Sequence, residues 1–336
     1  MKLKQQVYKF FFSKTKRAYI PLLRMLLVLV TLRETMSVLY RVARVSENPL
    51  FYYQSILMDD LFVPLFQDYF LAIKYTFLVA GALSIIGLFT RPALFIYSLL
   101  YFAIQFYDTS LGIFNHEASL SSLILFVLVI SPGIKNYSLD NLIINRNNRP
   151  FWNRLSGKPY EIWSFRLILT LVALGYFTAG VSKVRYGGFD WMDGQTLTFY
   201  LKGNTDVNAE VKQKYTTFSI NNYSDKWKDD IGLSAYTYGV FKRSETGKWL
   251  AEFISSEKAI MIPLSIFTVV FEVSTIFIVF FKRFRLFFLF CAILFHTSIG
   301  ILMGLSFKDY QTIGICLIDW PFVWEGAKSI IAKRSI

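Results

Sequence analysis

A series of apolar segments, about eight in number, constrains this chain most, because each is long enough or nearly long enough to cross a hydrocarbon layer of ~30 Å. Hydrophobic residues make up 54% of the 336 residues and aromatic residues make up 18%. One soluble core of this length cannot bury so much apolar side chain. The sequence therefore predicts an all-α fold, a polytopic transmembrane helical bundle. Its predicted spans cover residues 19–40, 70–89, 92–107, 117–133, 162–184, 259–281, 285–304 and 310–327.

Basic residues predict the orientation of these spans. Lysine and arginine without any acid occupy the stretch 1–18, and further basic residues lie within 146–158, 282–285 and 328–334. Because cytoplasmic loops are enriched in lysine and arginine, all four regions are expected to be cytoplasmic, and the first is expected to form an amphipathic segment on the membrane surface. In residues 185–258 the basic and acidic residues are nearly equal in number. This segment is therefore predicted to be a large extracytoplasmic loop between spans five and six.

Taken together, these patterns predict a single membrane domain over residues 1–336, with both termini in the cytoplasm, in a bacterial inner membrane. The lipid bilayer is the expected partner. The formal net charge of +13 is explained by the cytoplasmic loops, and no nucleic-acid motif accompanies it, so nucleic-acid binding is not expected. Cys291 and Cys316 lie in apolar stretches without metal-ligand spacing, so no metal site is predicted.

Ionisable residues within apolar segments are candidates for function, because a charge at membrane depth is costly unless it is paired or hydrated. His116, Lys183 and His296 are predicted at similar depth in the outer half of spans four, five and seven. Each has a simpler interpretation as well. Lys183 could extend its ammonium group to the outer headgroups, His116 could cap a helix after Asn115, and His296 could hydrogen-bond a neighbouring helix.

Glu272 lies deeper in span six and has no basic neighbour within one turn of its own helix. The sequence predicts a structural ion pair between Glu272 and either Arg24 or Arg33, which would join spans one and six. A role as a catalytic acid is the alternative. Other chemistry is not indicated, since the chain has no P-loop, no G-x-G-x-x-G, no G-x-S-x-G and no H-E-x-x-H motif.

Three stretches carry a resemblance to a known family: "FNHEASLSSLILFVLVISPG", "YFTAGVSKVRYGGFDWMDGQTL" and "FEVSTIFIVFFKRFRLFFLFCAILFHTSIGILM". In their order and topology they resemble the horizontally transferred transmembrane (HTTM) family, whose best-known member is the vitamin K-dependent gamma-carboxylase. The "AG-x-x-K" helix end and the "NH" helix start are the most specific parts of this resemblance.

The resemblance implies a quinone-dependent epoxidase or carboxylase-like enzyme, with Lys183 as the base that deprotonates a reduced quinone of the menaquinone or vitamin K type. His116 would assist, while Asn115, His296, Tyr176 and Trp191 would support the site or line its cavity. Two departures matter: Ser182 replaces a second lysine, and the large lumenal region of the carboxylase is absent after span eight.

An alternative function also follows from the resemblance. Bacterial relatives include a membrane protein similar to one that helps mature a sporulation-delaying peptide toxin. The chain could therefore be a non-catalytic membrane partner in the maturation or export of a secreted peptide or protein substrate, with the 185–258 loop as its docking surface. A transporter is less favoured, because no matched pair of broken spans is found.

Overall fold

The computed structural model describes residues 2–47, 61–110, 116–144, 150–201 and 243–334. In these ranges the chain is mainly helical, as predicted. The helices are α1 Lys2–Phe12, α2 Tyr19–Glu47, α3 Val63–Asp68, α4 Phe70–Ile86, α5 Thr90–Ser110, α6 His116–Ile130, α7 Leu139–Ile144, α8 Phe151–Ser156, α9 Trp163–Gly187, α10 Gln195–Leu201, α11 Glu245–Ser256, α12 Lys258–Ser274, α13 Lys282–Met303, α14 Lys308–Leu317 and α15 Trp320–Arg334. Two short strands, β1 Lys14–Thr15 and β2 Tyr160–Glu161, pair antiparallel.

Three helices in the described ranges are long and apolar enough to cross a membrane by length and composition: Trp163–Gly187, Lys258–Val279 and Lys282–Met303. The second of these includes a 3₁₀ turn, Thr275–Val279, which continues α12. Shorter apolar helices are Phe70–Ile86 and Ala118–Ile130. These helices fall on predicted spans, and they show an all-α membrane protein. The count of eight spans stays a prediction.

Helix α2 lies at the centre of the first half of the bundle, packed against α4, α5, α6 and α14. Its side chains Leu23 and Leu27 are fully buried. Arg24 is also fully buried and donates to the carbonyl oxygens of Ile134 (3.0 Å) and Tyr137 (2.7 Å). A guanidinium group can be buried here because backbone carbonyls of the turn after α6 accept its hydrogen bonds.

The predicted eighth span, 310–327, is not one helix. Helix α14 ends at Leu317, and α15 begins at Trp320. Pro321 follows at the start of the new helix, where its missing N–H group costs nothing. Asp319 lies between the two helices and bonds Arg17 and Lys282. The polar residue and the proline together explain why the apolar segment is divided.

The structure describes nearly all of the predicted basic segment 1–18 but only part of the predicted 185–258 loop. The basic segment 1–18 contains the predicted helix, α1, whose Phe10 ring stacks on Phe280 at 6.2 Å between centroids. Most of the 185–258 loop, residues 202–242, lies outside the described residues. The described part after α9 is a 3₁₀ turn, Asp190–Asp193, followed by α10.

Candidate functional site

The site centres on an ion pair between two apolar helices. The Lys183 ammonium group on α9 donates to both carboxylate oxygens of Glu272 on α12, at 2.9 Å to Oε1 and 2.7 Å to Oε2. The side chains are 24% and 8% exposed, respectively. Because both charges sit within candidate membrane spans, their pairing is what makes their burial tolerable.

Close packing of α9 against α12 brings the two residues together. A Cβ atom on Gly180 would lie 2.9 Å from the Cβ atom of Glu272 and 3.0 Å from the backbone nitrogen of Val273. Small residues allow helices in membranes to approach this closely. Gly180 therefore lets Glu272 sit beside α9, where the Lys183 side chain reaches it from the next turn.

Trp191 covers Lys183 from the chain that follows α9. The Lys183 Nζ atom lies 5.3 Å from the centroid of the Trp191 ring, which is within cation–π range. A Cβ atom on Gly187 would lie 2.8 Å from the Cβ atom of Trp191, so the turn folds tightly onto the end of α9. Phe189, two residues before Trp191, is 88% exposed and does not contribute to the site.

A second polar contact lies two helical turns before Lys183. The Tyr176 hydroxyl and His296 Nε2 on α13 are 2.5 Å apart. Tyr176, Gly180 and Lys183 are spaced by four and three residues, so they share one face of α9. The other ring nitrogen of His296, Nδ1, is buried and has no hydrogen-bond partner in the described parts of the chain.

Aromatic rings enclose this tyrosine–histidine pair. The Tyr176 ring meets Phe288 edge-on at 5.3 Å, and the His296 ring lies 4.8 Å from Phe307 and 5.1 Å from Tyr310. The rings come from α13 and from the start of α14 and the residue before it. Phe307 and Tyr310 therefore pack beside the His296 ring, and Phe288 packs beside Tyr176.

The neighbouring residue Asp309 extends the polar groups toward α6. Asp309 is buried and accepts hydrogen bonds from Ser121 on α6 (2.6 Å) and Tyr101 on α5 (3.5 Å). Beside it, Lys308 pairs with Glu34 of α2 at 3.4 Å. Sequence reasoning missed Asp309, because the residue precedes the predicted start of span eight.

The structure corrects the predicted partner of Glu272. Arg24 bonds backbone carbonyls instead, and Arg33 is exposed. The physical reason is packing: α12 lies along α9, while α2 lies against α4, α5, α6 and α14. Lys183 is therefore the residue whose charge Glu272 neutralises.

The other predicted site residues differ in how far the structure describes them. Lys183, Trp191, Tyr176 and His296 come together in the arrangement above. Helix α6 begins at His116, whose side chain is outside the description, and Asn115 lies outside the described residues. The assisting role of His116 stays a prediction.

Comparison with known proteins places this chain in a family. A family model described as the HTTM domain matches residues 12–212, which is more than half of the chain. The chain belongs to the HTTM family. The HTTM match includes Lys183, Tyr176 and Trp191 but ends before Glu272 and His296, so residues beyond the matched range complete the contacts of the site. No curated protein and no solved structure matched the chain.

Proposed function

We propose that this HTTM protein is a membrane enzyme that binds a reduced quinone, of the menaquinone or vitamin K type, and uses Lys183 as a proton acceptor. The observation that carries the proposal is the bidentate contact of Lys183 with Glu272 between two apolar helices. It goes beyond the sequence-based hypothesis because Glu272 becomes part of the reacting unit.

The pair gives Lys183 a route to the form that can act as a base. An ammonium group has no free electron pair, so Lys183 must first lose its proton. Glu272 is in direct contact and can take that proton, which leaves a neutral amine beside a neutral carboxylic acid. The proton would move along a hydrogen bond that already exists between the two side chains. The amine can then accept a proton from a bound substrate.

The surroundings of the Tyr176–His296 contact, two helical turns from Lys183, would suit a flat aromatic ligand that carries oxygen atoms. His296 Nδ1 is a buried polar atom without a partner in the described chain, and a quinone oxygen would satisfy it. The rings of Phe307 and Tyr310 beside His296, and of Phe288 beside Tyr176, would supply apolar contact area. Once bound, such a quinone would supply the electrons for a reaction with oxygen.

Two residues would support the proton transfer without taking the proton from substrate. Trp191 lies over the ammonium group of Lys183 and would limit its access to water, which strengthens electrostatic interactions in the site. Tyr176 holds His296 by its Nε2 atom, so the orientation of the ring and of Nδ1 is set by α9.

The test is binding of reduced menaquinone to the purified protein, measured for the wild type, Lys183→Ala and Glu272→Gln. Lys248→Ala is the matched control, because Lys248 also pairs with a glutamate, Glu245, but on an exposed helix face. Saturable binding that the first two substitutions weaken at least about tenfold, and the control does not, is expected. Each variant must keep the wild-type size-exclusion profile.

Either of two outcomes would overturn the proposal. Binding could be absent from the wild type, or it could be equal in all folded variants. The hypothesis of a non-catalytic partner in peptide maturation would then take precedence, and substitutions in the 185–258 loop would be the next variants to examine.

A further inference from the structure

A second group of charges lies at the opposite end of the apolar helices from Lys183. Arg166 is near the start of α9, 17 residues before Lys183, which corresponds to about 26 Å along a helix. Arg285 lies in the first turns of α13, and Thr275–Val279 ends the preceding span. Because three candidate membrane helices begin or end here, this group lies at a membrane surface.

The guanidinium group of Arg285 has no hydrogen-bond acceptor among the described residues. Arg285 is only 6% exposed, and the small part that remains accessible includes its guanidinium nitrogens. Its Cζ atom lies 5.3 Å from the centroid of the Phe165 ring. A guanidinium group has five N–H donors and keeps its charge, so its burial without an acceptor is unfavourable. A ligand that accepts hydrogen bonds would relieve this cost.

The guanidinium group of Arg166 also has a hydrogen-bond donor without an acceptor. One of its nitrogen atoms, Nη1, donates to the carbonyl oxygen of Val279 at 2.9 Å, whereas its buried Nε atom has no partner among described residues. Its Cζ atom lies 4.1 Å from the centroid of the Phe10 ring. Arg285 lies against the ring of Phe165, the residue before Arg166, so the two guanidinium groups are neighbours and their charges repel each other. The charge of Asp319 acts on Arg285, but no carboxylate in the described ranges bonds to either guanidinium group.

The start of α13 adds to the positive potential. Phe281 precedes the helix and offers no side-chain cap, and the first turn contains no acid. The positive end of the helix dipole thus coincides with Lys282, Arg283 and Arg285, an arrangement that is unfavourable unless an anion is present.

One carboxylate in the described structure bonds to this group. Asp319 accepts from Arg17 at 3.3 Å and from Lys282 at 2.8 Å. Four cations, on Arg17, Arg166, Lys282 and Arg285, therefore lie near one carboxylate, and four positive charges less one negative charge leave a net charge of +3. Arg166 and Arg285 are the two cations of this group that bond no carboxylate in the described ranges.

We propose that Arg166 and Arg285 bind the phosphate group of an anionic phospholipid at the start of α13. Phosphate accepts paired hydrogen bonds from guanidinium groups, and anionic lipid attracts basic residues at a membrane surface. Phe280, whose ring stacks on the Phe10 ring under Arg166, and Phe281, just before α13, are exposed and supply apolar surface for the acyl chains. This apolar surface favours a lipid over free phosphate.

The experiment compares lipids retained by the purified protein, using native mass spectrometry with phosphatidylglycerol and phosphatidylcholine of matched chain length. The variants are Arg285→Gln and, as control, Arg283→Gln, which removes the same charge from an exposed position two residues earlier. The wild type is expected to retain phosphatidylglycerol in preference to phosphatidylcholine. Arg285→Gln should weaken that binding about tenfold, the effect of losing one ordinary charge-assisted hydrogen bond, and Arg283→Gln less than about twofold.

The remaining outcomes each contradict the proposal. Equal retention of the two lipids by the wild type overturns it, and this result does not depend on whether a variant folds. Equal losses in the two variants indicate diffuse attraction to the membrane and also overturn it. In a third arm, inorganic phosphate is added to delipidated protein. If phosphate binds as tightly as the lipid and with the same dependence on Arg285, the assignment to a phospholipid is wrong.

Discussion

At the scale of single residues, the Lys183–Glu272 pair should contribute a large coupling energy. Lys183→Met or Glu272→Gln alone leaves the other group buried without its partner, and each should reduce the free energy of unfolding by about 2–3 kcal/mol. The double variant removes both groups and should lose clearly less than the sum of the single losses. Reversible unfolding in detergent, measured for all four proteins, gives the coupling energy.

Lys248 and Glu245 provide the matched control for this double-mutant cycle. They form an ion pair at 2.8 Å, but their side chains are 47% and 89% exposed. Exposed pairs contribute about 0–1 kcal/mol, so their coupling energy should be small. Similar coupling energies for the two pairs would show that burial between α9 and α12 does not strengthen the contact.

The residues of the site were predictable by type but not by pairing. Lys183, Tyr176, Trp191 and His296 stand out in the sequence as ionisable or aromatic groups in apolar surroundings. The partner of Glu272 was predicted wrongly, because charge in a sequence does not show which helices are neighbours. Gly180, three residues before Lys183, was the available signal, since a small residue on that face of α9 permits a close approach by another helix.

At the scale of helices, the contact between α9 and α12 should depend on Gly180. In Gly180→Ala the added methyl group meets Glu272 and the backbone of Val273, which forces the helices apart. We expect a loss of about 1–3 kcal/mol in unfolding free energy and weaker coupling between Lys183 and Glu272. Thermal unfolding and the double-mutant cycle, repeated in this background, measure the two effects.

Gly175 on the same helix supplies the control, because an added Cβ atom there meets nothing within 4 Å. Gly175→Ala should be neutral or stabilising by up to about 1 kcal/mol, since alanine favours a helix more than glycine does. If Gly180→Ala behaves in the same way, the close approach of the two helices is not needed for stability.

Five of the predicted spans coincide with apolar helices of the described ranges, because continuous apolar segments identify helices without knowledge of their neighbours. The segment 310–327 shows the limit of counting apolar residues along a sequence. Its apolar residues fall on two helices, because one helix ends at Leu317 and the next begins at Trp320, with Asp319 and Pro321 at the junction.

At the scale of the whole molecule, Asp140 should make the free energy of unfolding depend on pH in the acid range. Its carboxylate accepts hydrogen bonds from the backbone nitrogens of Phe89 (2.9 Å) and Thr90 (2.8 Å) and from the Thr90 hydroxyl (2.8 Å). Burial raises the pKa of Asp140, but the hydrogen bonds from Thr90 and Phe89 outweigh it and hold the pKa below its usual value. This contact links the turn between α4 and α5 to α7.

Because the folded pKa is lowered, the stabilisation is complete above the unfolded pKa of about 3.9 and is lost as the pH falls through the folded pKa. Asp140→Asn should cost about 1 kcal/mol at neutral pH, the effect of a lost helix cap, and the difference from wild type should shrink in acid. Melting curves from pH 7 to about pH 3 measure it, with exposed Asp68→Asn as control. A difference that does not change with pH would contradict the assignment.

The start of the described chain and residue 319 should face the same side of the membrane. Asp319 bonds Arg17, just before α2, and Lys282, the first residue of α13. The chain that leaves the far end of α13 at Met303 has therefore returned to its starting end by Asp319, although α14 itself contains only 10 residues. This return favours an even number of crossings, and the basic loops predict that this end is cytoplasmic.

Reporter fusions test that orientation. A reporter that is active only outside the cytoplasm should be active after residue 188 and inactive after residues 158 and 334, whereas a cytoplasmic reporter should show the reverse pattern. Activity of the outer reporter at residue 334 would mean that residues 304–318 do not complete a crossing and that the number of spans is odd. Activity of the outer reporter at residue 158 would instead invert the predicted orientation, and would place the Lys183–Glu272 pair nearer the cytoplasm.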